Sequence, residues 1–153
     1  MASEVELLEV FRLGALAGDG EIVRVVGDRL AGAWIARSRF REVEILTGRS
    51  LVVQRSAGTL GWRGRAQLVM GRPREAIDLY EERLVLVRRD GDRAGEAATL
   101  NNIGGVYVGL GDRARALGYY DEALSIAREV GDRAGEAAEV VPGLVEVRWR
   151  SPA

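Results

Sequence analysis

The side chains of this chain that could do chemistry are carboxylates, guanidinium groups and amides. None of the 153 residues is cysteine or histidine, and all 22 basic residues are arginine. These absences exclude disulfides, thiolate nucleophiles, imidazole bases, the lysine of a P-loop and nearly every zinc or copper site. We therefore expect a protein that is not an enzyme and that has no catalytic residue, no metal and no cofactor.

Acidic residues offer two further candidates for chemistry. Residues 90–101 match a calcium-binding loop at three positions, but Ala94 and Asn101 stand where an oxygen ligand and a bidentate glutamate are required. The acidic pairs at 81–82 and 121–122 each follow a tyrosine. That recurrence is expected of surface charge on repeated helices and not of an acid–base pair. Neither group predicts a catalytic or metal site.

Arg65, Asn101 and Asn102 have the chemistry for binding another chain. An asparagine amide can both donate to and accept from a peptide backbone, and an arginine can hold a carboxylate with two hydrogen bonds. For the asparagines the alternative is a polar pair on a solvent-exposed helix face, and for Arg65 it is ordinary solvated charge. The net charge of −1 gives no basic field, so nucleic acid is not an expected partner.

The chain repeats itself with a period of 40 residues. The octapeptide GDRAGEAA begins at residue 91 and again at residue 131. A period of this length indicates a stack of helical units. Between the two copies, apolar residues recur at spacings of three and four in two stretches, separated by Gly111-Asp112. Because glycine commonly ends a helix and aspartate commonly begins one, we expect the octapeptide to be a structural joint between helical hairpins.

These signals predict an all-α fold of antiparallel helix pairs within one domain that covers 1–153. Ser3 and Glu6 have the spacing of a capping box at the start of a helix. The predicted sections are an N-terminal capping helix over 4–17, a diverged first repeat over 21–55, a second over 57–90, a third over 91–130 and an incomplete C-terminal repeat over 131–150. Trp62 has no evident place in this pattern.

The chain has no apolar run of the roughly 18 residues that a membrane-spanning helix needs. Its N-terminus carries acids where a secretory signal would carry cations. We therefore expect a cytoplasmic protein that does not associate with membranes.

The order Leu100, Ile103-Gly104 and Tyr107, followed by Ala116 and Tyr120, resembles the tetratricopeptide repeat. The sequence is most similar to the form of about forty residues found in kinesin light chains and in the sensor arms of bacterial signalling ATPases. This resemblance implies a right-handed α-solenoid in which the first helix of each repeat lines a concave groove for a peptide or partner helix. A homodimer through the ends of the stack is a further expected association.

The resemblance also implies which residues face the groove. Carried over by position, they are Val25, Asp28, Gly32 and Ile35 in the first repeat, Gly61, Arg65 and Leu68 in the second, and Ala98, Asn101, Asn102, Gly105 and Val108 in the third. The implied function is a protein–protein interaction module in an arm of a larger signalling or regulatory protein. The alternative is a sensor of a small ligand or signal peptide, in which occupancy of the groove changes the shape of the superhelix.

Overall fold

The computed structural model describes residues 1–131, which form seven α-helices and no strand. The all-α prediction is confirmed for this part of the chain. The helices are α1 Glu4–Ala17, α2 Gly20–Ala36, α3 Phe40–Val53, α4 Ala57–Val69, α5 Pro73–Arg89, α6 Arg93–Gly109 and α7 Arg113–Val130. The incomplete repeat predicted over 131–150 lies, apart from its first residue, outside the described residues.

The helix ends carry the signals that the sequence predicts. Ser3 and Glu6 form the capping box at the start of α1. Asp92 and Asp112 begin α6 and α7 by accepting hydrogen bonds from backbone N–H groups three residues further on. The glycine before each of these aspartates has a φ of 69° or 80°, a left-handed conformation that glycine adopts without strain. Each glycine–aspartate pair therefore ends one helix and begins the next.

The described residues divide into two compact units, and the boundary between residues 83 and 84 lies inside α5. In the first unit, α2 packs against α1, α3 and α4, and in the second unit α6 packs against α7. Because the connections are only two or three residues long, consecutive helices that pack together run antiparallel. The core of the first unit is formed by the buried residues Phe11, Val23, Leu30, Ala31, Trp34, Val43, Leu46 and Ala66.

A glycine of one helix packs against a tyrosine of the next helix in both units. Gly64 of α4 faces the ring of Tyr80, and a Cβ atom added at Gly64 would lie 2.7 Å from Tyr80 Cε1. Forty residues further on, Gly104 of α6 faces the ring of Tyr120 in the same way. Both tyrosines are almost completely buried. The absence of a side chain at the two glycines therefore allows each ring to lie directly on the backbone of the preceding helix.

The first octapeptide, at 91–98, holds a buried ion-pair network where α5 joins α6. Glu96 is only 5% exposed and accepts hydrogen bonds from Arg88 Nε at 2.7 Å and from Arg93 Nη1 at 2.6 Å. Both arginines also pair with glutamates of α7. Burial alone would raise the pKa of Glu96, but the two guanidinium groups outweigh it and lower the pKa below its usual 4.5. The first octapeptide is thus a structural joint, as predicted, and the second copy lies, apart from its first residue, outside the described residues.

The glycine–tyrosine contact can be tested with Gly104→Ala. Alanine is the better helix former by about 1 kcal/mol, but its methyl group would overlap the ring of Tyr120, so we expect a net loss of about 1–3 kcal/mol in stability. The matched control is Gly118→Ala on α7, where nothing lies within 4 Å of the added Cβ atom. We expect that variant to be neutral or slightly stabilising in thermal unfolding. Equal stability of the two variants would contradict the contact.

The ion-pair network predicts that Glu96→Gln destabilises the protein by about 1–3 kcal/mol at pH 7, because it removes the charge between two guanidinium groups. The lowered pKa means that this stabilisation is present above pH 4.5 and is lost as the pH falls through the folded-state value. Urea unfolding should therefore show a difference from wild type that shrinks below pH 4.5. The exposed Glu75→Gln serves as the control, and a difference that does not change with pH would be evidence against the network.

Candidate functional site

In the first unit, the predicted site residue Asp28 lies where α2 packs against the start of α4. Thr59 Oγ1 donates a hydrogen bond to Asp28 Oδ1 at 3.3 Å, and Ser56, the N-cap of α4, donates to Thr59 Oγ1 at 2.8 Å. A Cβ atom at Gly58 would lie 2.6 Å from Asp28 Oδ2. Residues 56–59 therefore leave room for the carboxylate and supply it with a hydrogen bond.

The carboxylate of Asp28 is half-buried, so water solvates its negative charge only poorly. Burial raises the pKa of Asp28 above its usual 3.8, and the hydrogen bond from Thr59 and the positive charges of Arg24 and Arg83 only partly oppose the rise. The protein therefore keeps a carboxylate where its ionised form is poorly solvated. Carboxylates with this kind of pKa shift are candidates for functional sites.

Arg83 of α5 connects the predicted site residues of α2 and α4. Its guanidinium group lies over Gly61, where an added Cβ atom would be 2.7 Å from Arg83 Nη1. The positive charge of Arg83 also acts on Asp28. Burial raises the pKa of the Tyr80 hydroxyl, and the charges of Arg83 and the exposed Arg65 oppose the rise. Asp28, Gly61 and Arg65 are thus brought together around Arg83 and Tyr80. We call these five residues the α2/α4 surface.

Other predicted residues of the first unit are placed closer to the core. Trp62, which the sequence pattern did not place, packs on Gly32, with its ring 3.5 Å from the position of an added Cβ atom. Ile35 is half-buried against the core of the unit, and Leu68 is also half-buried. Val25, by contrast, is 49% exposed and does not pack into the core. Trp62 therefore has a packing role, and Ile35 presents only part of its side chain to solvent.

In the second unit, Asn101, Gly105 and Val108 share one face of α6, because they are spaced by four and three residues. Asn101 is half-buried, whereas Asn102, Gly105 and Val108 are exposed. Within residues 1–131, the amide of neither asparagine makes a side-chain hydrogen bond. We call the four residues Asn101, Asn102, Gly105 and Val108 the α6 surface.

The hydroxyl of Tyr120 lies beneath the α6 surface. It is 3.8 Å from the position that a Cβ atom at Gly105 would occupy. The hydroxyl is buried and has no hydrogen-bond partner among the described residues. A buried hydroxyl without a partner is costly, because it has lost its hydrogen bonds to water. The α6 surface therefore combines two amides that make no side-chain hydrogen bond within residues 1–131 with a buried phenol beneath them.

The described residues form neither a metal-binding cluster nor a membrane-spanning helix. No cluster of three or more carboxylates in residues 1–131 is placed to hold a metal ion. Among the seven helices, none is both long and apolar enough to cross a bilayer.

The family model of the tetratricopeptide repeat matches residues 55–129, which contain helices α4, α5 and α6 and all but the last residue of α7. The resemblance to this family that the sequence shows is therefore confirmed over residues 55–129. Repeats of this family generally mediate protein–protein interactions and are generally not catalytic.

The fold is similar to the crystal structure of BtubC (BKLC) from P. vanneervenii, with a TM-score of 0.66 and 23% sequence identity. The match covers 88% of this chain and 57% of that chain, so this chain spans little more than half the length of its structural neighbour. The likeness confirms the predicted helical-repeat fold. A search of curated proteins found no match to the sequence.

The two repeats differ at the positions that form the candidate surfaces. Where the earlier repeat has Gly61 and Arg83, the later repeat has Asn101 and Ala123, each 40 residues further on. Sequence reasoning missed Arg83, although the repeats carried a signal for it. The repeat with the small Gly61 has the large Arg83 on its second helix, whereas the repeat with the larger Asn101 has the small Ala123 there. Thr59 was also missed, because its contact with Asp28 depends on how α2 packs against α4 and leaves no trace in the repeat pattern.

The setting of Asp28 predicts how stability depends on pH. Because the folded-state pKa is raised above 3.8, the folded state holds this proton more tightly, and stability falls as the pH rises through the window between 3.8 and the folded value. Asp28→Asn removes that loss. We expect the variant to gain stability over wild type between pH 3 and pH 7, as measured by thermal unfolding.

The control for this measurement is Asp78→Asn, an exposed aspartate of α5. A variant at Asp28 that is less stable than wild type at pH 7 would show instead that the ionised carboxylate is stabilised by its arginine neighbours.

Proposed function

We propose that this chain is a protein–protein interaction module that binds a peptide or a partner helix on its α2/α4 surface and on its α6 surface. The observation that supports the proposal best is the half-buried carboxylate of Asp28, on which the positive charges of Arg24 and Arg83 act. An arrangement that keeps a poorly solvated charge lowers the stability of the free protein. Such a charge is useful when a bound partner supplies the hydrogen bonds that water no longer provides.

The α2/α4 surface offers groups of both signs to a partner. The exposed guanidinium group of Arg65 can hold a carboxylate with two hydrogen bonds. The carboxylate of Asp28 can accept from an amine, a guanidinium group or a backbone N–H group. A partner segment that carries an acidic side chain and a donor group would satisfy both residues.

The α6 surface offers neutral groups that suit a peptide backbone. The amides of Asn101 and Asn102 can each donate and accept, and no side-chain hydrogen bond in the described chain competes for them. Gly105 exposes the backbone of α6 to close approach, and Val108, 51% exposed, supplies an apolar contact one turn away. Backbone recognition of this kind tolerates many partner sequences.

The location and wider setting of the module are part of this proposal. The resemblance favours a cytoplasmic arm of a larger signalling or regulatory protein. The sensor alternative would place a ligand among the predicted groove residues. The first unit has an apolar crevice lined by residues of α1, α2 and α3, and none of the predicted groove residues lines it.

The proposal predicts the effects of Arg65→Ala and Asn101→Ala on peptide binding. Random peptides displayed on phage are selected on the wild-type chain, and the dissociation constants of the enriched peptides are measured by fluorescence anisotropy. Arg65→Ala should weaken the binding of peptides at the α2/α4 surface about tenfold, equivalent to about 1.4 kcal/mol. Asn101→Ala should weaken the binding of peptides at the α6 surface by about the same factor.

The matched controls are Arg74→Ala on α5 and Ser125→Ala on α7, both at exposed positions. Circular dichroism establishes that all four variants keep the wild-type helix content. Equal weakening by the controls, or unchanged affinity in the Arg65 and Asn101 variants, would place binding on another surface.

A further inference from the structure

The outer face of α1 carries large aliphatic side chains that nothing in the described chain covers. Val5, Leu8, Leu13 and Leu16 are 76%, 37%, 52% and 73% exposed. The opposite side of the helix, centred on the buried Phe11, already packs into the core. The outer face of a solvated surface helix is normally polar. Helix α1 therefore has an apolar outer face in addition to the apolar side that packs into the core of the unit.

The apolar surface continues from α1 onto α3 through a crevice of about 650 Å³. Its floor is formed by the buried residues Phe11, Trp34 and Leu46. Its walls include Val5 and Leu8, together with the 62% exposed Ile45 of α3. A helix laid along α1 would therefore meet apolar side chains from two helices.

Six exposed residues of α1 are placed symmetrically along the helix, as a palindrome of residue class. About the point between residues 10 and 11, Val5 corresponds to Leu16, Leu8 corresponds to Leu13, and Glu9 corresponds to Arg12. Residues 5, 9, 12 and 16 lie on one helix face because they are spaced by four, three and four, and residues 8 and 13 flank that face on its two sides. The palindrome pairs apolar with apolar and acid with base.

This pattern is self-complementary under a two-fold axis. In an antiparallel pair of α1 helices centred on that point, each residue lies opposite its counterpart in the palindrome. Aliphatic side chains would then meet aliphatic side chains at both ends. Within one copy, Arg12 already donates to Glu9 of the same helix through Nε at 2.9 Å and Nη2 at 2.6 Å. In the middle of the contact the two intrahelical pairs would lie side by side across the axis, and Glu9 of each copy would also accept from Arg12 of the partner subunit, whose guanidinium group has five N–H donors.

The charges around the crevice also match a second copy. Two acids and two bases line it, namely Glu9, Glu42, Arg12 and Arg49. A surface with equal numbers of acidic and basic side chains does not attract a polyanion. A second copy of this chain presents the same acids and bases and can therefore pair with the first. Because the isologous contact covers both apolar faces at once, a second copy is the occupant that the geometry favours.

We propose that two copies of the chain associate through an antiparallel contact between their α1 helices, with Glu9 of each copy bound to Arg12 of the partner subunit and with Ile45 of α3 extending the apolar area. This association uses none of the residues of the α2/α4 and α6 surfaces. The dimer and the peptide-binding proposal can therefore fail independently.

The experiment is a charge exchange followed by analytical ultracentrifugation. Wild type at about 10–100 µM should sediment as a dimer, as expected for an interface of ordinary size. Glu9→Arg alone and Arg12→Glu alone each place like charges opposite each other and should weaken dimerisation at least about tenfold. An equimolar mixture of the two variants restores opposite charges across the axis and should form a heterodimer of near wild-type affinity.

A second pair of variants separates the apolar contact from general surface effects. Leu16→Glu should convert the protein to a monomer, whereas Leu117→Glu, at a 45% exposed leucine of α7, should leave the dimer intact. A monomeric wild type, single charge variants that dimerise normally, or a mixture that fails to recover would each overturn the proposal. Equal disruption by Leu117→Glu would also overturn it, because the interface would then lie elsewhere.

Discussion

The close contact between a glycine of one helix and a tyrosine of the next positions the candidate surfaces of both repeats. Tyr80 lies on Gly64 and Tyr120 lies on Gly104, so each ring touches the backbone of the preceding helix. Interiors are packed too densely to absorb even one extra methyl group at such a point. The contact therefore fixes the register of the two helices, and with it the outward direction of the residues one turn away. Asn101 and Gly105 lie within one turn of Gly104, and Gly61 and Arg65 lie within one turn of Gly64.

On this common scaffold the two repeats carry different chemistry. The earlier repeat places a guanidinium group over Gly61 and packs against Asp28 of α2, whose charge is disfavoured by burial, so its surface is polar and charged. The later repeat replaces the glycine by Asn101, and its tyrosine hydroxyl has no partner in the described chain. Function in repeat proteins is commonly varied in this way, because the packing residues and the surface residues occupy different positions of one unit. The account therefore assigns charge recognition to one surface and backbone recognition to the other.

Local signals in the sequence predicted the helices and their ends well. The spacing of Ser3 and Glu6 specified a capping box, and the Gly-Asp pairs specified helix ends, because these features depend only on residues within one turn of each other. Contacts between helices were predicted less well. Trp62 fits against Gly32, and Arg83 reaches Gly61, only because of how α2, α4 and α5 pack. Such contacts depend on the register between helices and on pairs of residues far apart in sequence. The periodicity within a single helix does not specify either of them.

The most direct test of the central claim is site-specific photocrosslinking. A photoreactive phenylalanine derivative replaces the exposed Val108 of the α6 surface, or the exposed Leu117 of α7 as a matched position. Each protein is irradiated with a peptide that was selected on the chain and that loses affinity on Asn101→Ala, and the adducts are mapped by mass spectrometry. The account predicts a discrete peptide adduct at position 108 and none at position 117. An adduct at position 117 alone would contradict it, because the partner would then bind the second helix of the repeat and not the face that carries the asparagine amides.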